Sequence, residues 1–336
     1  MLSYNRDLGL VPNLLGAMGD LASSTQITML RNATWTISNL CRGKPPPRWE
    51  LIAGLLAPLV QLTFHSDDEV LVDACWALSY ICEPADRIEL LTSSGALPRL
   101  TALLAHASPN VQTPALRCIG NVATGTAEQT QAVLQCEALS AVGRLLVCGK
   151  KELKKEACWM ISNVTAGSTA QIDAVCASGL VPALIRLVTE EEFDIKKEAA
   201  CVRSLVSPGF SLRGLVSSCL SSCLSSCLSS SHLVLTSHIS VLYPFAGHSR
   251  YALCNACTGG SLLTVSGLVF HGVLGALCSL LDAPDAELLL AVLEALGSAL
   301  EAGEASRESS QGVNRCIHLM DEAGGARRKL KRSICV

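Results

Sequence analysis

Apolar residues recur along this chain at helical rather than strand spacing. In LVDACWALSYI the residues Val72, Cys75, Leu78 and Ile81 fall three apart. That spacing lays an apolar stripe along one side of an α-helix. Shorter segments built on Leu-x-Pro or Leu-Pro precede long ones of this kind. Pro12, Pro98 and Pro182 are predicted to occupy a first helical turn, where the missing N–H costs nothing. Gly9, Gly95 and Gly179, just ahead of them, suit the end of the preceding helix.

The two kinds of segment repeat in fixed phase. The long one reads NATWTISNLCRGK (32–44), DACWALSYICEP (73–84), TPALRCIGNVATG (113–125) and KEACWMISNVTAG (155–167). Its anchors Trp35, Trp76, Arg117 and Trp159 are almost evenly spaced. The short one reads GLVPNLL (9–15), GLLAPLVQL (54–62), GALPRLTALL (95–104), EALSAVGRLL (137–146) and GLVPALIRL (179–187). A helical unit of this length cannot bury its apolar stripe alone, so neighbours must stack. The expectation is an all-α solenoid of the HEAT or armadillo class.

Composition agrees with this fold and removes several function classes. The chain has 336 residues, of which 49% are hydrophobic, 16% charged and 4% aromatic. Low hydrophobicity and high net charge, the marks of disorder, are both absent. The 17 cysteines lie singly inside apolar runs such as Ala74-Cys75-Trp76, as reduced and buried thiols do in a cytosolic or nuclear protein. The segment MLSYNRDLGLVPNLLGAMGD lacks the apolar core of a signal peptide, and no membrane span is expected. Cys254-x-x-Cys257 stands without a second pair, so neither a metal nor a cofactor is expected. No ordering of Ser, His and Asp, phosphate-binding Gly-rich loop or carboxylate pair suggests an enzyme. The net charge of −3 conceals a basic end: residues 326–336 hold five Lys/Arg and no acid. The acidic remainder favours basic partners over nucleic acid.

Trp35/Asn39 and Trp159/Asn163 place a Trp and an Asn one turn apart on a helix. Repeated on successive helices, such pairs form a row. Indole faces hold the stems and charges of Lys and Arg, and an Asn amide donates and accepts toward an extended peptide backbone. Asp73, Glu156 and Glu198, one turn earlier, select positive heads.

Carried by RNATWTISNLCRGK, DACWALSYI, TPALRCIGNVATG and KKEACWMISNVTAG, the sequence resembles the importin-α family of nuclear import adaptors. The likeness covers residues 1–200 and, less fully, 251–325. It implies a right-handed armadillo superhelix whose Trp–Asn row binds nuclear localisation signals in extended form. By phase, the first unit corresponds to the family's fourth repeat and Trp159 to its seventh. Trp35, Asn39, Arg42 and Asp73 then resemble the end of the major site, and Trp76 is a further peptide-binding residue of the row. Arg117, Asn121, Glu156, Trp159 and Asn163 resemble the minor site, continued by Glu198, Tyr251 and Asn255. Tyr80 stands where Asn follows Trp76, and Arg117 stands in a Trp place. The resemblance implies cargo proteins, importin-β and an export receptor as partners, and shuttling between cytoplasm and nucleus.

The pattern departs from the family in three places. The basic importin-β-binding arm and about three early repeats are not represented. Residues 196–200 (KKEAA) repeat 154–158, yet Cys201 and Leu205 stand where Trp and Asn belong. The motif resumes at YALCNACTGGS (251–261), which makes 201–250 an expected insertion. That stretch holds 15 Ser, three charges and SSCL three times in tandem (217–228), as a recent insertion or unspliced intron would. The last unit begins at NRCIHLMDEAGGA (314–326) and gives way to the basic tail 326–336. The expected organisation is repeats over 1–200, the insertion, and remaining repeats over 251–325. Two other readings stand beside the import adaptor: an armadillo scaffold for other protein partners, and a truncated, non-functional importin-α-like product.

Overall fold

A computed structural model describes residues 27–190, 252–305 and 314–324. Among them every regular element is a helix. The chain divides into two units at Gly167/Ser168.

The first unit contains α1 (Ile27–Cys41), α2 (Trp49–Ile52), α3 (Leu56–Leu62), α4 (Asp68–Ile81), α5 (Ile88–Ser93), α6 (Leu97–Leu103), α7 (Pro109–Val122), α8 (Ala127–Gln135), α9 (Ala138–Leu146) and α10 (Lys151–Thr165). Each repeat gives a short helix, a second short helix and a long third one. The long helices α1, α4, α7 and α10 pack side by side in order, and each short second helix packs against the long one that follows. The core is therefore one layer deep and continuous. In α4 it buries Val70, Leu71, Ala74, Cys75, Leu78 and Ile81 completely or nearly so. That face is wider than the spacing-of-three stripe read from sequence, and Val72 stands only half-buried at its border.

Local signals explain where the helices begin. Asp67 caps α4 by accepting from Val70 N at 3.2 Å. Thr126 and Gln129 close a reciprocal capping box at the start of α8. Such a box satisfies two backbone N–H groups that the first turn leaves orphaned. Pro98 lies in the first turn of α6, as expected. Gly95 has φ 74°, and Glu137 occupies the equivalent left-handed place one repeat later with φ 57°.

Neighbouring repeats are tied by polar bonds between residues one repeat apart. Arg31 grips Asp67 with two bonds of 3.1 and 2.6 Å. Arg99 Nε donates to Thr63 O at 2.8 Å, and Gln129 Nε2 donates to Glu89 Oε2 at 2.9 Å.

The second unit contains α11 (Thr169–Ala177), α12 (Val181–Glu190), α13 (Ala252–Gly259), α14 (Leu262–Phe270), α15 (Val273–Ser279), α16 (Ala286–Ala305) and α17 (Arg315–Glu322). Helix α13 packs against α11, α12 and α16. Pro182 again falls in a first turn, and Gly179 and Gly272 are left-handed at φ 79° and 86°. Ser168 and Gln171 repeat the capping box of Thr126. Asp173 accepts from the Thr264 hydroxyl, tying α11 to α14. No single helix among the described residues is long and apolar enough to cross a membrane.

Candidate functional site

The expected site residues of the first unit all lie on its four long helices or the turn after α1. Trp35, Asn39 and Arg42 come from α1 and its end, Asp73 and Trp76 from α4, Arg117 and Asn121 from α7, and Glu156, Trp159 and Asn163 from α10. Side-by-side packing of these helices turns sequence phase into spatial order.

Trp35 is 60% exposed, an unusual place for so large an apolar ring. Trp76 is half-buried and stacks on Tyr80, with ring centroids 5.8 Å apart and planes 20° apart. The Arg42 guanidinium lies 5.9 Å above the Tyr80 ring. In the sequence Tyr80 stands only as a departure from Asn, yet it continues the aromatic surface. Asp73 is half-buried. Burial and nearby Glu69 push its carboxyl above the ordinary value, while the Ser38 hydroxyl pulls the other way.

The tightest grouping is Arg117, Glu156 and Trp159. Arg117 donates through Nη2 to Glu156 Oε1, and its guanidinium carbon sits 4.9 Å from the Trp159 ring centroid. Burial pushes the Glu156 carboxyl above its ordinary value, against the pull of Arg117. Glu156 Oε2 and Arg117 Nε are buried without a hydrogen-bond partner in the chain. The group therefore retains polar capacity that the protein does not use.

The asparagines are drawn into the packing between helices. Asn121 and Asn163 are only 8% and 3% exposed. Asn121 Nδ2 donates to Ser79 O at 2.9 Å, and Asn163 Nδ2 donates to Gly120 O at 3.2 Å. Each thus stitches its helix to the one before. Asn39, on the first described helix, turns back to Trp35 O at 2.9 Å. In the second unit, Asn255 is buried on α13. Cys254 and Cys257 are buried on the same helix, and their thiols are pushed upward by burial. No group of metal-ligating side chains occurs among the described residues. Glu198, Tyr251, the segment 201–250 and the tail 326–336 lie outside the described residues.

Sequence reasoning missed a row of small residues beneath the aromatic one. Ser38, Ser79, Gly120 and Ser162 occupy one phase of the repeat. The three serines each donate to the carbonyl three residues earlier, in Trp35, Trp76 and Trp159. At Gly120 the Trp159 ring presses so closely that a Cβ there would lie 2.7 Å from Cε3 and nearer still to Cζ3. The signal was present as S-N, S-Y, G-N and S-N in the repeated motif.

The Armadillo/beta-catenin-like repeat matches residues 44–83, 84–124, 126–166 and 168–202. Importin subunit alpha-3 of Arabidopsis thaliana is 51% identical over 136 residues, 39% of this chain and 26% of that protein. Importin subunit alpha-1a of Oryza sativa subsp. japonica is 46% identical over 149 residues, 44% of this chain and 28% of that protein. The chain thus spans about a quarter of the length of these relatives. Among solved structures, a designed armadillo repeat protein in complex with the peptide (KR)4 superposes with TM-score 0.62 at 25% identity. The match covers 87% of this chain and 98% of that one. Another designed armadillo repeat protein, at TM-score 0.64 and 24% identity, shares the fold over 87% of this chain.

Proposed function

The chain is an armadillo-repeat protein similar to importin α subunits, and from that premise we propose that it is a non-catalytic receptor for extended Lys/Arg-rich peptides. Its role is then that of a cargo adaptor in protein import into the nucleus, moving between cytoplasm and nucleus. Importin-β and an export receptor are the further partners this reading entails.

One observation carries the proposal. Arg117 lies across Trp159 with its charge on Glu156, so the first unit already holds a guanidinium as it would hold one from a ligand. An indole face supplies cation–π attraction of about 0.5–2 kcal/mol, and a half-buried carboxylate supplies the opposite charge. Exposed Trp35 and the Trp76–Tyr80 stack extend an aromatic surface over the preceding helices. The likeness to a designed protein that carries a (KR)4 peptide supports the same ligand class.

The test is a fluorescence-anisotropy titration of the full chain with an alternating Lys-Arg octapeptide and with a Glu-rich peptide of equal length. Saturable binding of the basic peptide alone, weakening as salt rises, supports the receptor. Preference for the acidic peptide replaces it with the scaffold reading.

A further inference from the structure

Between α1 and α2 the chain runs Arg42-Gly-Lys-Pro-Pro-Pro-Arg-Trp. Arg42, Lys44, Pro45, Pro46 and Arg48 are exposed, whereas Pro47 is buried. We propose that this loop is a docking ligand for a small proline-reading protein module, one with an aromatic-lined groove and an acidic rim.

The conformation follows from the residues. Three prolines in succession stand between Lys44 and Arg48. Each proline ring fixes its own φ in the polyproline range, and a residue that precedes proline is held extended. Pro45 and Pro46 meet both conditions. Arg48, after the run, has φ −59° and ψ 135°, which are close to polyproline II values. Such a segment has little conformational freedom left to lose on binding, and aromatic grooves recognise it for that reason.

The repeat framework holds the loop at its far end. Arg87, from the next repeat, is nine-tenths buried. Its Nη2 donates to Pro47 O at 2.7 Å, and its guanidinium lies 5.9 Å from the centre of the Trp49 ring. One proline is thereby pinned inward and the two before it are displayed. The exposed cations Lys44 and Arg48 flank the run, so charge complementarity calls for an acidic rim on the partner.

The experiment is titration of the full chain with a WW domain of the class that reads proline followed by arginine, and with an SH3 domain, by isothermal calorimetry. Three proteins are compared: wild type, the double variant Pro45→Ala/Pro46→Ala, and Arg48→Glu. The expected result is saturable wild-type binding to one of these modules, weakened at least tenfold in both variants. Both variants retain wild-type affinity for the Lys-Arg octapeptide, which separates this surface from the peptide receptor. Absence of saturable binding to either module overturns the proposal, as does binding indifferent to all three substitutions.

Discussion

Arg117 stands over the ring of Trp159, its guanidinium carbon 4.9 Å from the centroid, while its Nη2 donates to Glu156. Residues from two consecutive repeats so fill a slot of the kind that the proposed receptor would offer to a peptide arginine. The substitution Arg117→Ala vacates the indole face and frees the charge of Glu156. The Lys-Arg octapeptide should then bind about 2- to 30-fold more tightly, the equivalent of one cation–π contact. Anisotropy titration of wild type and variant measures this, and weaker binding would show Arg117 itself to be a ligand-holding group.

Gly120 is the floor of that slot. Adding a methyl group forces the Trp159 ring to move, since the new Cβ would lie 2.7 Å from Cε3. The substitution Gly120→Ala should cost about 1–3 kcal/mol, the usual range for overpacking. A lower urea midpoint, together with a shifted tryptophan emission maximum, is the expected outcome.

Glu137 marks a place where the sequence opposes its backbone. Its φ of 57° matches Gly95, Gly179 and Gly272 at 74°, 79° and 86°. A left-handed conformation costs a non-glycine residue about 1–2 kcal/mol, partly offset by the greater freedom of glycine in the unfolded chain. The substitution Glu137→Gly should raise stability by about 0.5–1 kcal/mol. Chemical denaturation of the two proteins decides it.

Acid should weaken the first unit at its repeat junctions. The Arg31 side chain beside Asp67 holds that carboxyl below its ordinary 3.8. A depressed native pKa adds stability that is fully present above the unfolded value and lost as pH falls through the native one. Urea midpoints should therefore drop below about pH 4, and Asp67→Asn should flatten that decline. Glu156 has the opposite sign, because burial raises its carboxyl above the ordinary 4.5. Its contribution is present below 4.5 and fades as pH rises through the native value. A cationic peptide needs the ionised form, so affinity should increase as pH climbs through that same value.

Much of this organisation was legible in the sequence because repetition amplifies weak signals. Trp35, Trp76, Arg117 and Trp159 recur at nearly constant separation, and the structure places them on successive packed helices. Pro98 and Gly95 marked a helix start and a left-handed turn for stated backbone reasons. Pairwise geometry was not legible. Spacing put Asn121 and Asn163 on the faces of Arg117 and Trp159, but could not say that their amides reach the carbonyls of Ser79 and Gly120. Nor could it say that Arg117 would meet Glu156, since each depends on how closely neighbouring helices pack. The glycine at 120 looks like a lapse in a serine row until Trp159 is seen against it. The buried face of α4 is broader than its period of three because a long helix here touches its own repeat and both neighbours.

The double variant Trp159→Ala/Asn163→Ala bears most directly on the proposed peptide recognition. It removes the indole that Arg117 lies across and the amide that ties α10 to Gly120 O of α7. Circular dichroism first confirms that the helices persist. Titration with the Lys-Arg octapeptide is then expected to show affinity reduced by at least about tenfold, from the loss of the indole face and of the Asn163 bond to Gly120 O that sets α10 against α7. Unchanged affinity in a folded double variant would contradict the assignment and move the binding surface away from α10.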